Sequence, residues 1–316
     1  MLSYQALKVN SRNFLAATSM TVEEFERLLS VYPEAYTKCY PADLTLTGQP
    51  RQRQPGGGSK GVLEQDEDRL LFILIYTKTN PLQSMHGLMF GLSQAQANYW
   101  IHHLLPVIQE ALRLLEMLPE REGSQVATSA LALESKPDLA IDGTERRRQR
   151  PQDATAQKEH YSGKKKAHTD KNIIVANEET GKVAYLGPTE NGAKHDKKAA
   201  DDAAIAYPPN ATLDKDTGFQ GYEPEDVLTR QPQKKPRNRE LSVIEKFFNR
   251  LIAKTRIIVE NVLAGVKRCR IVKDMLRLTT PGVSDLVMEI ACGLHNLRVS
   301  CRHPLPAFDI FQLHPT

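Results

Sequence analysis

Apolar residues follow a helical period over the first part of this chain and shorter, strand-like runs after it. Thr21-Val-Glu-Glu24 reads as a capping box that opens an amphipathic helix through Phe25, Leu28 and Leu29, interrupted at Pro33 and Pro41. Leu70, Leu71, Ile73, Leu74 and Ile75 form a second apolar segment, stopped near Asn80-Pro81. A shorter helix covers Leu82 to Phe90, Gly91 supplies a turn, and Ser93-Gln-Ala-Gln96 caps a third helix with an apolar stripe of Ala97, Trp100, Ile101, Leu104 and Leu105. Beyond Pro119 and the polar stretch Glu120 to Gln125 the period changes. Leu139-Ala-Ile141 is a strand leading into Asp142, and Lys166 to Ala176 and Lys182 to Gly187 are two strands joined by the hairpin turn Glu178-Glu-Thr-Gly181. Asp196 to Tyr207 reads as an Ala-rich helix, Ala211 to Leu213 and Val227 to Thr229 as short strands, and Arg239 to Arg268 as one long helix. These elements divide the chain into a helical segment and linker (1–60), a helical hairpin region (61–120), an α/β domain (135–275) and a C-terminal helical extension (276–316).

Helix, glycine turn and capped helix is the shape of a helix-turn-helix, whose second helix enters the major groove by its N-terminal residues. Here those are Gln94, Gln96 and Asn98, side chains able to bond adenine at two points. An ordinary helical hairpin has the same pattern. Charge changes the balance. The 316 residues carry a net charge of only +4, yet residues 230–273 hold thirteen Lys or Arg against three Glu, a local +10 that leaves −6 for the rest. Together with Arg146 to Arg150 and Lys164 to Lys166, this block suggests a basic track for a polyanion, although a charge run is also the ordinary form of a solvated helix face. Arg51 to Lys60 is a Gly-rich basic linker that lacks the glycine spacing of a phosphate loop. Four cysteines cannot build a disulfide framework, and neither a cationic leader nor a membrane-length apolar run is present, so a reducing, cytoplasmic location is expected.

Asp142 and Asp216 each follow a short apolar strand, placing both carboxylates just beyond strand ends. Glu260 lies on the long helix with Arg256 four residues before it and Lys267 seven after, on one helical face. Three carboxylates from separate elements suit a hard cation such as Mg²⁺ or Mn²⁺. Taken singly, each is an ordinary turn, cap or helix-surface residue, and spacing alone does not select the three.

A set of motifs does. Ile141-Asp-Gly-Thr-Glu-Arg-Arg-Arg-Gln-Arg-Pro151, Tyr161-Ser-Gly-Lys-Lys-Lys-Ala-His-Thr169, Gly192-Ala-Lys-His-Asp196, Asp216-Thr-Gly-Phe-Gln-Gly221 and the series Arg256, Glu260, Lys267 resemble the DDE-type transposases of bacterial insertion sequences. The resemblance is greatest to the insertion-sequence-five group, related to Harbinger-type transposases, and Gly91 to His102 resembles that family's helix-turn-helix. It implies an α/β ribonuclease-H-like catalytic domain behind an all-α DNA-binding region, with Asp142, Asp216 and Glu260 as catalytic, metal-holding acids. It also implies two divalent ions, Mg²⁺ or Mn²⁺, acting on both oxygens of an in-line displacement. Asp142 would bridge the ions, Asp216 and Glu260 would each hold one, and Arg256 and Lys267 would position DNA phosphates. Implied partners are double-stranded DNA, namely terminal inverted repeats and target, with a homodimer or larger assembly on DNA near the bacterial nucleoid and no membrane. One departure stands out: relatives often carry tyrosine where this chain has Ala253. Two alternatives keep part of the pattern: a DNA-binding protein derived from a transposase without catalysis, and a ribonuclease-H-like nuclease that does not transpose. Cys292, His295, Cys301 and His303 have zinc-ligand chemistry, but the first two fall within a helical apolar pattern typical of core. Asp196 reads first as the N-terminal charge of its helix, and a place near the active site is the lesser reading that the resemblance implies.

Overall fold

The computed structural model describes residues 1–45, 48–52, 61–233 and 240–303, and within these not the side chains of 248, 251 and 253–256. Four short helices come first, α1 (Tyr4–Leu7), α2 (Ser11–Thr18), α3 (Val22–Leu29) and α4 (Tyr32–Cys39). Both halves of the capping box expected at Thr21 and Glu24 are present, satisfying two backbone donors at the start of α3. Next come α5 (Asp66–Thr79), α6 (Gln83–Met89) and α7 (Gln94–Leu114). Asn80 ends α5 in the left-handed region, and Gly91, at φ +69°, makes the turn before α7.

The chain then enters the sheet through α8 (Ala130–Leu133) and β1 (Asp138–Arg147), followed by α9 (Ala154–His160), β2 (Tyr161–Ser162), β3 (Ala167–Asn177), β4 (Val183–Leu186) and β5 (Glu190–Asn191). After α10 (Asp196–Ala203) come β6 (Thr212–Lys215), β7 (Leu228–Arg230), α11 (Val243–Val266) and α12 (Val283–Arg302). The strand order is β2-β3-β1-β6-β7, with β4 and β5 also pairing with β3. β3 and β4 run antiparallel to their neighbours, whereas β6 pairs parallel with β1 and β7 parallel with β6. The result is a mixed α/β sheet joined to an N-terminal helical region that contains the helix-turn-helix.

Alternation along the strands gives the sheet two apolar faces. Leu139, Ile141, Ile173, Val175 and Leu213 face a cluster with Ala199, Ala200 and Phe219. Ile174, Ala176, Val183 and Leu186 join a larger core that takes in α11, α12 and the N-terminal helices. Asn296, fully buried on α12, fastens these layers: its Oδ1 accepts from Val183 N at 2.8 Å, and its Nδ2 donates to Val183 O and to Met117 O.

Three boundaries differ from the sequence pattern. β1 does not stop before Asp142 but continues to Arg147, because β3 pairs with it throughout. Two side chains of the Arg146–Arg150 cluster are therefore engaged within the fold: Arg146 is buried against Ser284 O and Asn172, and Arg148 pairs with Asp170 at 2.8 Å. Arg146 and Arg148 thus serve as internal cross-links, while Arg147 and Arg150 remain exposed. The Ala-rich helix ends at Ala203, where Ala204 turns left-handed. Of the long helix, Val243 is the first residue, behind a Ser242/Glu245 capping box. Most of the Arg51–Lys60 linker, and Lys234, Lys235, Arg237 and Arg239 of the basic block, lie outside the described residues.

Candidate active site and nucleic-acid interface

The parallel pairing of β1 with β6 runs Asp138↔Thr212, Leu139↔Leu213, Ala140↔Asp214 and Ile141↔Lys215, then ends. Asp142 and Asp216 are the next residue on each strand. The 74-residue interval between them is thus the register offset of the two strands, which brings both residues to the same end of the β1–β6 ladder. α11 packs over that end and brings Glu260 and Val259 to a small cleft whose walls are completed by Asp142, Asp214 and Asp216.

Each acid sits in its own setting. Asp142 is held by its own neighbour, Gly143 N–H donating to Oδ1 at 2.7 Å. Burial pushes its pKa up to about 6, and the charges of Asp216 and Asp196 push the same way, against the opposing ammonium of Lys164. Asp216 caps the turn after β6, its Oδ1 accepting from Gly218 N at 2.6 Å. Glu260 lies on the exposed side of α11. Lys267, at the end of α11, has its pKa lowered by burial and by Lys165, while Asp142 and Glu145 oppose that shift. The Arg256 side chain and that of Ala253 lie outside the described residues.

Asp196, for which a place near the active site is the lesser sequence reading, lies close to both aspartates. It opens α10 as expected of an N-terminal charge, and it pairs with Lys171 of β3 at 2.7 Å. It also lies against both acid-bearing segments, the middle of β1 and the turn after β6: a Cβ on Gly143 would stand 2.8 Å from Asp196 Oδ1, and one on Gly218 would stand 3.1 Å from Oδ2. Glycine directly after Asp142 and two residues after Asp216 is what lets this carboxylate come so close. Motif reading found Asp196, but only the β3–α10 packing shows Lys171 beside it.

The donors of the cleft are all carboxylate oxygens, the set that Mg²⁺ and Mn²⁺ prefer. Asp142 is costly to ionise beside Asp216 and Asp196, an excess of negative charge that a divalent cation offsets. Among the described residues no three of His, Cys, Asp and Glu stand together as a preformed metal cage, so the oxygen chemistry fits a hard cation while the acids do not yet converge on one point. Cys292 and His295 serve the core: burial pushes the Cys292 thiol up to about 12, and His295 Nε2 bonds Gly181 O at 2.9 Å.

At the helix-turn-helix, Gln94 is the first residue of α7 and exposed, and Asn98 lies one turn further along. Gln96 is used differently, since its Oε1 accepts from Ser93 N at 2.9 Å and closes the capping box. Gln83 of α6, which the pattern did not single out, accepts hydrogen bonds from both Gln94 and Asn98.

Comparison with known proteins agrees with this division. Residues 141–296 match the model of the DDE superfamily endonucleases, and residues 65–114 match that of the helix-turn-helix of DDE superfamily endonucleases. The first match begins one residue before Asp142 and runs on through most of α12. The chain is 25% identical over 262 residues, 83% of its length and 89% of the relative's, to a probable transposase for insertion sequence element IS702 from Microchaete diplosiphon. No solved structure matches the chain significantly.

Proposed function

From the premise that the chain belongs to the DDE superfamily endonucleases, as a DDE-type transposase with its own helix-turn-helix, we propose that it binds and cuts DNA at the terminal inverted repeats of an insertion sequence. The freed 3′-hydroxyl then attacks target DNA. The observation that carries this reading is the parallel β1–β6 register, which ends where Asp142 and Asp216 stand side by side beneath Glu260. We read the mixed sheet as ribonuclease-H-like, a reading supported by the order β4-β3-β1-β6-β7 with β3 and β4 antiparallel.

Asp142, Asp216 and Glu260 are the residues that would hold Mg²⁺ or Mn²⁺. Bound there, two such ions supply Lewis-acid activation of the attacking and leaving oxygens of a phosphodiester. The protein's own contribution is placement. Gly143 and Gly218 N–H groups fix the two aspartates, and the Lys267 ammonium, close to Asp142, attracts a DNA phosphate to the cleft. Arg256, four residues before Glu260, is assigned to phosphate contact with it. The N-terminus of α7 reads bases through Gln94, Gln96 and Asn98, with Gln96 limited to the amide nitrogen that its cap leaves over. The +10 block supplies affinity that is independent of sequence. Cutting two ends of one element requires at least two copies on DNA, and the site of action is the cytoplasm, at the nucleoid; no helix among the described residues is long and apolar enough to cross a membrane.

The test is a nicking assay on a plasmid carrying the DNA that flanks the gene on both sides, with Mg²⁺ or Mn²⁺. Wild type cuts at the ends of the repeats, whereas Asp142→Asn, Asp216→Asn and Glu260→Gln bind the same DNA and leave it intact. Cleavage near the wild-type rate by any of the three variants removes that residue from the assignment. A wild-type chain that binds but never cuts is a DNA-binding protein and not a working transposase.

A further inference from the structure

We propose that Gln83 sets the orientation of two of the base-reading amides, Gln94 and Asn98, and is therefore a determinant of DNA sequence specificity. The inference rests on the reading of α7 as the helix that contacts bases. Gln83 is the first residue of α6, half-buried, eleven residues before Gln94. Its Oε1 accepts from Gln94 Nε2 at 2.9 Å and from Asn98 Nδ2 at 3.2 Å, so one carbonyl holds two side chains of the neighbouring helix. Its own amide lies in reach of the buried Tyr76 hydroxyl on α5, which ties the acceptor to the packed part of the helical region.

The chemical consequence follows from the shape of a carboxamide. A side chain that gives one N–H to Gln83 retains its second N–H and its whole carbonyl, and it can no longer exchange the two ends by rotating. Gln94 and Asn98 stand four residues apart on one face of α7. Each then offers a fixed acceptor beside a spare donor. That pair matches adenine in the major groove, which presents the N6 amine as donor and N7 as acceptor. It is mismatched to guanine, whose O6 and N7 are both acceptors. An unheld glutamine can turn either end outward, and it loses rotamer freedom when DNA orders it. Gln83 removes both liabilities before binding. Gln96, tied to Ser93, is outside this arrangement.

The full-length chain is offered a library of random duplex DNA, and the retained sequences are read for wild type, Gln83→Met, Gln94→Ala and Asn98→Ala. Methionine keeps the length and packing of glutamine but has no comparable acceptor, and matching thermal melts confirm that Gln83→Met remains folded. The two alanine variants mark which motif positions the amides read. The expected result is a wild-type motif with adenine at those positions. Gln83→Met then loses preference at those same positions by about threefold to tenfold in the ratio of specific to non-specific binding. Its affinity for unselected DNA and its salt dependence stay at the wild-type level. If Gln83→Met selects the same motif with the same strength, the inference is wrong and base reading by α7 stands. A uniform loss at every position with a lowered melting temperature also overturns it, since Gln83 is then only a packing residue. A wild-type chain that selects no motif removes the base-reading role itself.

Discussion

At the scale of single residues the cleft shows a conflict between stability and function at Asp142. Its folded pKa of about 6, against an ordinary 3.8, arises first from burial and then from Asp216 and Asp196. A raised carboxyl contributes stability in full below its unfolded pKa and loses it as pH rises through the folded value, so the ionised group destabilises the metal-free chain at pH 8. Asp142→Asn keeps the shape and deletes the charge. In EDTA at pH 8 the variant should be more stable than wild type by up to about 3 kcal/mol, a gain that disappears as pH falls through 6 towards 4. Denaturant melts of both proteins at several pH values measure this, and an asparagine variant no more stable than wild type at pH 8 would show that Asp142 is not destabilised by its surroundings. Mg²⁺ should narrow the difference, because a cation bound only by wild type stabilises it. The identity of this acid was readable in Ile141-Asp-Gly-Thr144, but its electrostatic setting was not. Asp196 acts on it from 54 residues away, through packing that no local pattern encodes.

At the scale of elements, the features that local chemistry defines were legible and those that depend on a partner were not. The boxes at Thr21 and Ser93 follow from side chains three residues apart, and the structure holds both. The second half of β1, Gly143 to Arg147, has no apolar alternation and is a strand only because β3 lies beside it. The start of α7, whose first residue is Gln94, is the element on which the proposed base reading depends. Ser93→Ala removes the oxygen that accepts Gln96 N at 3.2 Å, and loss of an N-cap costs about 1 kcal/mol. Melting should fall by a few degrees and sequence-specific binding should weaken more than binding to random DNA, because fraying displaces Gln94 from Gln83. Equal weakening of both kinds of binding, followed by fluorescence anisotropy, would separate the cap from base reading.

At the scale of the whole molecule, buried titratable groups on both faces of the structure set opposing limits on stability. His86, His103 and His295 each have a pKa lowered to about 4, in every case first by burial. A lowered histidine contributes stability in full above about 6.5, lost as pH falls through 4 and worth up to about 3 kcal/mol per ring. Glu178 acts in the opposite sense. It stands at the end of β3 against Asp214, and its pKa is raised to about 8, first by burial and then by the Asp214 charge. Glu178 Oε1 and Asp214 Oδ2 are both buried without a hydrogen-bond partner among the described residues, while Arg230 pairs with both residues. Stability from this pair is present below about 4.5 and is lost as pH rises through 8. Three rings against two raised acids give metal-free stability that climbs from pH 4 to about 6.5 and then declines towards pH 8. Glu178→Gln should flatten the alkaline decline, since the amide carries no charge to be buried beside Asp214 at any pH. The acid limb should remain, because none of the histidines touches this pair. Melting temperatures from pH 4 to 9 in EDTA test both statements, and an alkaline decline unchanged in Glu178→Gln would place its origin elsewhere than at the β3–β6 carboxyl pair.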